Sequence, residues 1–193
     1  ALNSRLSGFP EYEPLKDAMG TLQLGWLKER NRFVSGSDIS IGSSMSGDKR
    51  KKSSNIRCIG LGADFGYDLI KGDRILLYPY AGIGYEWYQA RFYKDNSGVD
   101  FDDVLDSPNL QNSIRPVNFK NDYFTYRLGL GFQVKSPKHK GSGIGLKAGY
   151  TGSFSDREWK SNDNQKLANA PKDGLSRFSV SLIFSQQSMI MGR

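Results

Sequence analysis

The side chains that most often carry chemistry are few in this chain and scattered. There is one histidine, His139, and one cysteine, Cys58. His139 sits in the turn sequence Pro137-Lys138-His139-Lys140-Gly141, far from any serine that the opposite end of a strand could present, so no Ser-His-Asp set can be assembled. A single cysteine forms no internal disulfide, and one His with one Cys falls short of the usual zinc ligand sets. Four carboxylates cluster at Asp100, Asp102, Asp103 and Asp106. Oxygen ligands suit a divalent cation, but the spacing and the missing closing Glu do not match an EF-hand loop, and a solvated acidic loop is the plainer expectation. Gly60-x-Gly62-x-x-x-Gly66 continues as a strand pattern rather than a helix, which argues against a dinucleotide site. Lys49-Arg50-Lys51-Lys52 is surrounded by Ser and Gly and lacks the aromatic partners of a nucleic-acid groove. The formal net charge of +7 therefore reads as solvated loop charge. These residue types lead to the expectation of no enzyme, no cofactor, no metal site and no nucleic-acid partner.

The charges that do recur regularly lie in segments that alternate with a period of two. In Tyr123 to Lys135, Phe124, Tyr126, Leu128, Leu130, Phe132 and Val134 oppose Arg127, Gly129, Gly131, Gln133 and Lys135. The same scheme covers Gly141 to Phe154, Leu175 to Ser185, Ile56 to Ile70 and Ile75 to Phe92, and more weakly Gly20 to Lys28 and Arg32 to Ser44. The mostly polar faces carry Asp38, Asp64, Asp68 and Glu86 in the earlier segments and Arg127, Lys147 and Arg177 in the later ones, with Lys135 a further candidate. Acids precede bases along the chain. A sheet that closed on itself would bring the two sets together as an interior salt-bridge network, because paired charges satisfy one another where a lone buried charge is costly. Glycines at 60, 62, 66, 82, 84, 129, 131, 145 and 149 leave room on that face for long side chains and tyrosine rings.

The connections between these segments alternate in length. Short turns fall at Glu29-Arg30-Asn31, Lys71–Asp73 and Ser136–Gly141; longer polar stretches fall at 47–54, 94–122 and 155–174. This sorting is the signature of a transmembrane barrel with short periplasmic turns and long extracellular loops. A mean hydropathy of −0.55 and the absence of any long apolar run are compatible with it, since only alternate strand residues face lipid. The expected fold is all-β: one up-and-down antiparallel transmembrane β-barrel domain over residues 1–193 of the bacterial outer membrane, with a short periplasmic extension at 186–193. Seven strands are readable and eight are expected, so an ascending first strand is expected before Ala1, with Ala1–Leu6 its alternative remnant. The segment Ala1 to Met19 then forms an extracellular loop. Aromatic residues near strand ends, Trp26, Tyr67, Tyr78, Tyr85, Trp87, Tyr123 and Tyr150, suit interfacial belts. Trp26, Tyr67, Tyr85, Trp87 and Tyr150 have the outward parity that a belt requires.

Three stretches resemble the small porin-like outer-membrane β-barrel family of Gram-negative bacteria, common in Bacteroidota. They are Leu2 to Pro10, the pair Gly66-Tyr67-Asp68-Leu69 with Leu77 to Tyr85, and the closing strand Arg177 to Phe184. The chain departs from that family in showing no strand before the Leu2-Asn3 segment and in continuing for nine residues after Phe184. The resemblance implies an architecture and a location rather than a chemistry. The expected function is a structural or accessory subunit whose long loops meet a partner complex or ligand. Its surroundings would be outer-membrane lipid and lipopolysaccharide, with other outer-membrane proteins as partners. A small channel for a hydrophobic or ionic solute is the alternative. A soluble ligand-binding barrel, with its apolar faces turned inward, is the third reading.

Overall fold

The computed structural model describes residues 1–70, 72, 74–136 and 142–185. The expected turns at Lys71–Asp73 and around His139, and the extension at 186–193, lie largely or wholly outside the described residues. Seven long strands carry the fold: β1 (Gly20–Arg30), β2 (Phe33–Gly47), β3 (Ser53–Tyr67), β4 (Ile75–Tyr93), β5 (Val117–Lys135), β6 (Gly143–Ser153) and, last in the chain, β10 (Ser176–Ser185). Each pairs antiparallel with its neighbour in sequence, so the protein is an all-β, up-and-down antiparallel sheet.

Local chemistry explains the turns. β1 and β2 are joined by Asn31 and Arg32, both with positive φ (51° and 69°), the backbone of a tight hairpin turn whose twist matches the flanking strands. β1 therefore extends past the expected Lys28 to Arg30. Pro79 is an interior residue of β4, but β3–β4 pairing stops at Gly66 and Tyr80, so the missing donor falls where that ladder has ended.

At the opposite end the connections are longer. The segment between β4 and β5 holds two short helices, α2 (Phe101–Asp106) and α3 (Pro108–Ser113). Asp100 caps α2 by accepting from the Asp102 N–H at 2.9 Å, and Asp102 and Asp103 occupy its first turn, where the helix dipole favours carboxylates. Three of the four clustered carboxylates thus belong to the start of a helix and Asp106 ends it; no metal-binding group is found among the described residues. Between β6 and β10 lie β7 (Arg157–Glu158), β8 (Lys160–Ser161) and β9 (Lys172–Asp173); β7 pairs with β9, and β8 lengthens the sheet by pairing with the upper part of β5.

The N-terminal segment folds over this long-loop end. It begins with α1 (Leu2–Leu6), whose Leu2 and Leu6 are buried with Tyr88, Ala90, Phe92, Tyr123 and Trp159. Asn3 and Leu15 exchange two hydrogen bonds of 3.0 Å, while Pro14 and Ala18 carbonyls accept from Ser54 and Ser44 of the strands. These bonds satisfy an irregular backbone that no ladder reaches.

β1 and β10 are the sheet's outer strands. An odd count of antiparallel strands makes them run in the same direction, so the two cannot pair antiparallel with each other. Among the described residues no eighth long strand lies between them.

Candidate functional site

At mid-height the inward faces of the strands meet in three ion pairs. Arg127 of β5 donates to Asp38 of β2 at 2.7 Å, Lys147 of β6 pairs with Asp64 of β3, and Arg177 of β10 donates to Glu86 of β4 at 2.8 Å. Arg127 also lies 3.9 Å from the second oxygen of Asp64, which links the first two pairs. The side chains of Arg127 and Asp38 are only 9% and 8% exposed, and that of Glu86 is 1% exposed. Tyr88 completes the third pair: its hydroxyl donates to Glu86 at 2.6 Å and accepts from Arg177 at 2.6 Å. Each carboxylate thus meets a cation from a strand far along the chain, as burial of a charge demands.

Space for these side chains comes from glycine. A Cβ at Gly62 would overlap the Arg127 guanidinium, and one at Gly131 or Gly149 would overlap the rings of Tyr78 or Tyr80. Tyr78 and Tyr80 are buried with Val34 and Leu76 at the short-turn end, and the Lys147 ammonium lies 4.1 Å above the Tyr80 ring. The interior is therefore layered: apolar under the N-terminal segment, ionic at mid-height, aromatic toward the short turns.

Two expected placements differ. Asp68 does not join the ionic cluster. It stands just past β3, where its side chain accepts from the N–H groups of Ile70 and Leu77 and its carbonyl accepts from Arg32. Parity put it on the inward face, but a carboxylate at a strand end has unpaired N–H groups within closer reach than any cation. Tyr78 and Tyr123 point inward and are buried, so they belong to the packed interior rather than to a belt. One interior ion pair is not legible in the sequence pattern: Glu29 of β1 pairs with Lys135 of β5, because Glu29 is a strand residue and not part of a turn.

The outward faces are apolar. Leu22, Leu24, Ile39, Ile59, Ile83, Leu128, Leu130, Leu146, Val180 and Leu182 are all exposed, and Phe178 is 86% exposed. Trp26, Tyr67 and Trp87 share this exposure, while Tyr85 and Tyr150 are half-buried. Tyr85 packs edge-on against Trp87 at 4.6 Å and donates to Asp122 at 2.6 Å; Tyr150 packs against Phe178 at 5.1 Å. Tyr67 is near the short turns, beside Phe33 and under the Arg32 guanidinium.

On β4 the outward apolar run extends from Ile75 to Trp87, and on β5 from Phe124 to Val134. These are about twelve and ten residue steps, or roughly 33–40 Å of strand at about 3.3 Å per step. A tilt of about 40–45° makes that a band of roughly 25 Å in height. Beyond it the outward residues of β4 and β5 become Gln89, Arg91, Lys120 and Asn118.

No family model, no curated protein and no solved structure matches the chain. Fold and site define the class by themselves: an up-and-down antiparallel sheet curled into a half-barrel, with ionic pairs inside and apolar residues outside.

Proposed function

We propose that this chain is a lipid-embedded β-barrel of a bacterial outer membrane, a non-catalytic structural or accessory subunit that presents its long-loop end to partners outside the cell. The observation that carries the reading is the inverted distribution of polarity: charges pair inside the sheet, while large apolar side chains cover its outer face in a band about as tall as a bilayer's hydrocarbon core. In water such a face would be an exposed patch far larger than soluble monomers carry. A soluble ligand-binding barrel would have the opposite arrangement, and it is set aside on this ground.

The filled interior favours a subunit over a channel. An eight-stranded barrel has room for side chains and little else, and here ion pairs and tyrosines occupy the space. The surfaces offered to partners are the segment at 94–116, with its exposed Phe101 and Leu105, and the segment at 155–175. The test is folding into lipid. The full chain is expected to enter phospholipid vesicles or detergent micelles, to run as a heat-modifiable band on a gel, and to give no steady conductance in a planar bilayer. A chain that stays folded and monodisperse without detergent would refute the reading.

A further inference from the structure

The outward face changes character across a single row of residues. At the top of the apolar band, Leu22, Ile41, Ile59 and Trp87 stand side by side on four neighbouring strands. One outward step higher, Arg57 of β3 lies opposite Gln89 of β4, Gln89 opposite Lys120 of β5, and Lys120 opposite Lys160 of β8. At about 4.8 Å per strand the three cations span roughly 15 Å. Lys120 and Lys160 are directly opposed, an arrangement that repels unless an anion lies between or above them.

A groove of about 1010 Å³ follows these two rows. In each of five strands it touches two outward residues and the one between them, and Trp87 on its floor and Arg57, Lys120 and Lys160 on its margin point outward, so it opens on the outer face. Its floor is the apolar row and its margin is the cationic one. One carboxylate shares the margin: Asp122, which accepts from Lys160 at 3.2 Å and from the Tyr85 hydroxyl. Three cations against one carboxylate leave the groove positively charged. Among the described residues neither Arg57 nor Lys120 has an ion-pair partner.

We propose that this groove binds a phosphate-bearing membrane lipid, with its acyl chains along the apolar row and its phosphate against Arg57, Lys120 and Lys160. The assignment rests on the membrane reading and adds a site to it. An amphiphile is the occupant because the apolar floor and the cationic margin are continuous, and because the margin sits where the band meets the aqueous phase on the long-loop side. A free anion would leave the floor exposed; an uncharged lipid would leave Arg57 and Lys120 without a counter-charge. Aromatic Trp87, with Tyr85 at its edge, stands at the level where ring and headgroup meet.

The experiment reconstitutes the full chain in phosphatidylcholine nanodiscs containing a minor fraction of lipid A, the diphosphorylated glycolipid, or of its dephosphorylated form. Lipid retained by the protein after release into detergent is identified by native mass spectrometry. Phosphorylated lipid A is expected to be retained in preference to the dephosphorylated form. Arg57→Gln and Lys120→Gln are each expected to lower its apparent affinity about fivefold, and together about 25-fold, at about 1 kcal/mol per cation. Lys120→Arg is expected to preserve retention, and Arg50→Gln, in the β2–β3 turn, to leave it unchanged. Equal retention of both lipids, or displacement by inorganic phosphate at the same concentration as the lipid, would overturn the assignment while leaving the membrane reading intact. Failure of the unsubstituted chain to enter phosphatidylcholine nanodiscs would overturn the membrane reading and this assignment with it.

Discussion

Substituting Arg127 by methionine isolates the central ion pair. Methionine keeps most of the unbranched stem and removes the guanidinium, so Asp38 is left 8% exposed without its cation. Asp64 is affected less, since Lys147 still holds its other oxygen. Removing one partner of a buried pair costs about 3–5 kcal/mol, most of it the penalty of the stranded charge. Exposure of 9% on the arginine itself leaves little solvent to screen the loss. The expected destabilisation for Arg127→Met is therefore about 3–4 kcal/mol. Removing both charges, as Arg127→Met with Asp38→Leu, should recover most of it and leave a residual cost of about 1 kcal/mol from the Asp64 oxygen 3.9 Å from the guanidinium. The assay is urea titration of the chain folded in lipid vesicles, followed by the heat-modifiable gel shift, with the single variants Arg127→Met and Asp38→Leu and the double variant forming a cycle. A single variant within 1 kcal/mol of the parent, or a double variant no better than Arg127→Met, would refute the argument that the stranded carboxylate sets the cost.

Three further outcomes are expected. Gly62→Ala should destabilise the parent by about 1–3 kcal/mol, because its Cβ meets the guanidinium, and should cost less in the Arg127→Met background, as measured by the same titration. Leu130→Arg places a cation in the middle of the outer band; it should cost about 2–4 kcal/mol in a lipid-embedded sheet, and an effect near zero would contradict the lipid-facing assignment. Asp173, in the long-loop segment, is partly buried, which pushes its carboxyl upward, while hydrogen bonds from the Trp159 indole and the Leu2 N–H favour its charged form. Asp173→Leu removes the carboxylate that accepts from both groups and should loosen α1, read as lower amide protection at Leu2–Ser7 relative to the intrinsic exchange rate; protection equal to the parent's would refute the docking role.

Alternation made much of this legible. A period of two separates the faces whatever the strand packs against, so Glu86, Arg127, Lys147 and Arg177 fall on one face before any register is known. The order of acids before bases then pointed to contact between distant strands. Which acid meets which base depends on register and curl, and no local pattern encodes either. Asp68 shows where parity fails: at a strand end a side chain answers to the nearest unpaired N–H groups. Glu29 was hidden because a hairpin turn of two residues leaves more of the segment to the strand than its polarity indicates. The N-terminal segment has no periodicity to read. Its position depends on Leu2 and Leu6 finding an apolar surface assembled from β3, β4, β5 and Trp159. The groove on the outer face was invisible for a similar reason, since Lys160 joins Arg57 and Lys120 only through the pairing of β8 with β5.

Three of the interior pairs share one geometric property. Asp38 and Arg127 join the second strand to the fifth, Asp64 and Lys147 the third to the sixth, and Glu86 and Arg177 the fourth to the seventh long strand. Each is a chord across the same number of strands, and in every case the acid precedes its base. A sheet growing from the N-terminus by successive hairpins gains no chord until its fifth strand is laid down, and gains one with each strand after that. Its first half therefore has no cross-sheet ion pair to hold a curve. Curvature enters with β5 and tightens by the same step twice more, so the bend of the finished sheet is written into its second half.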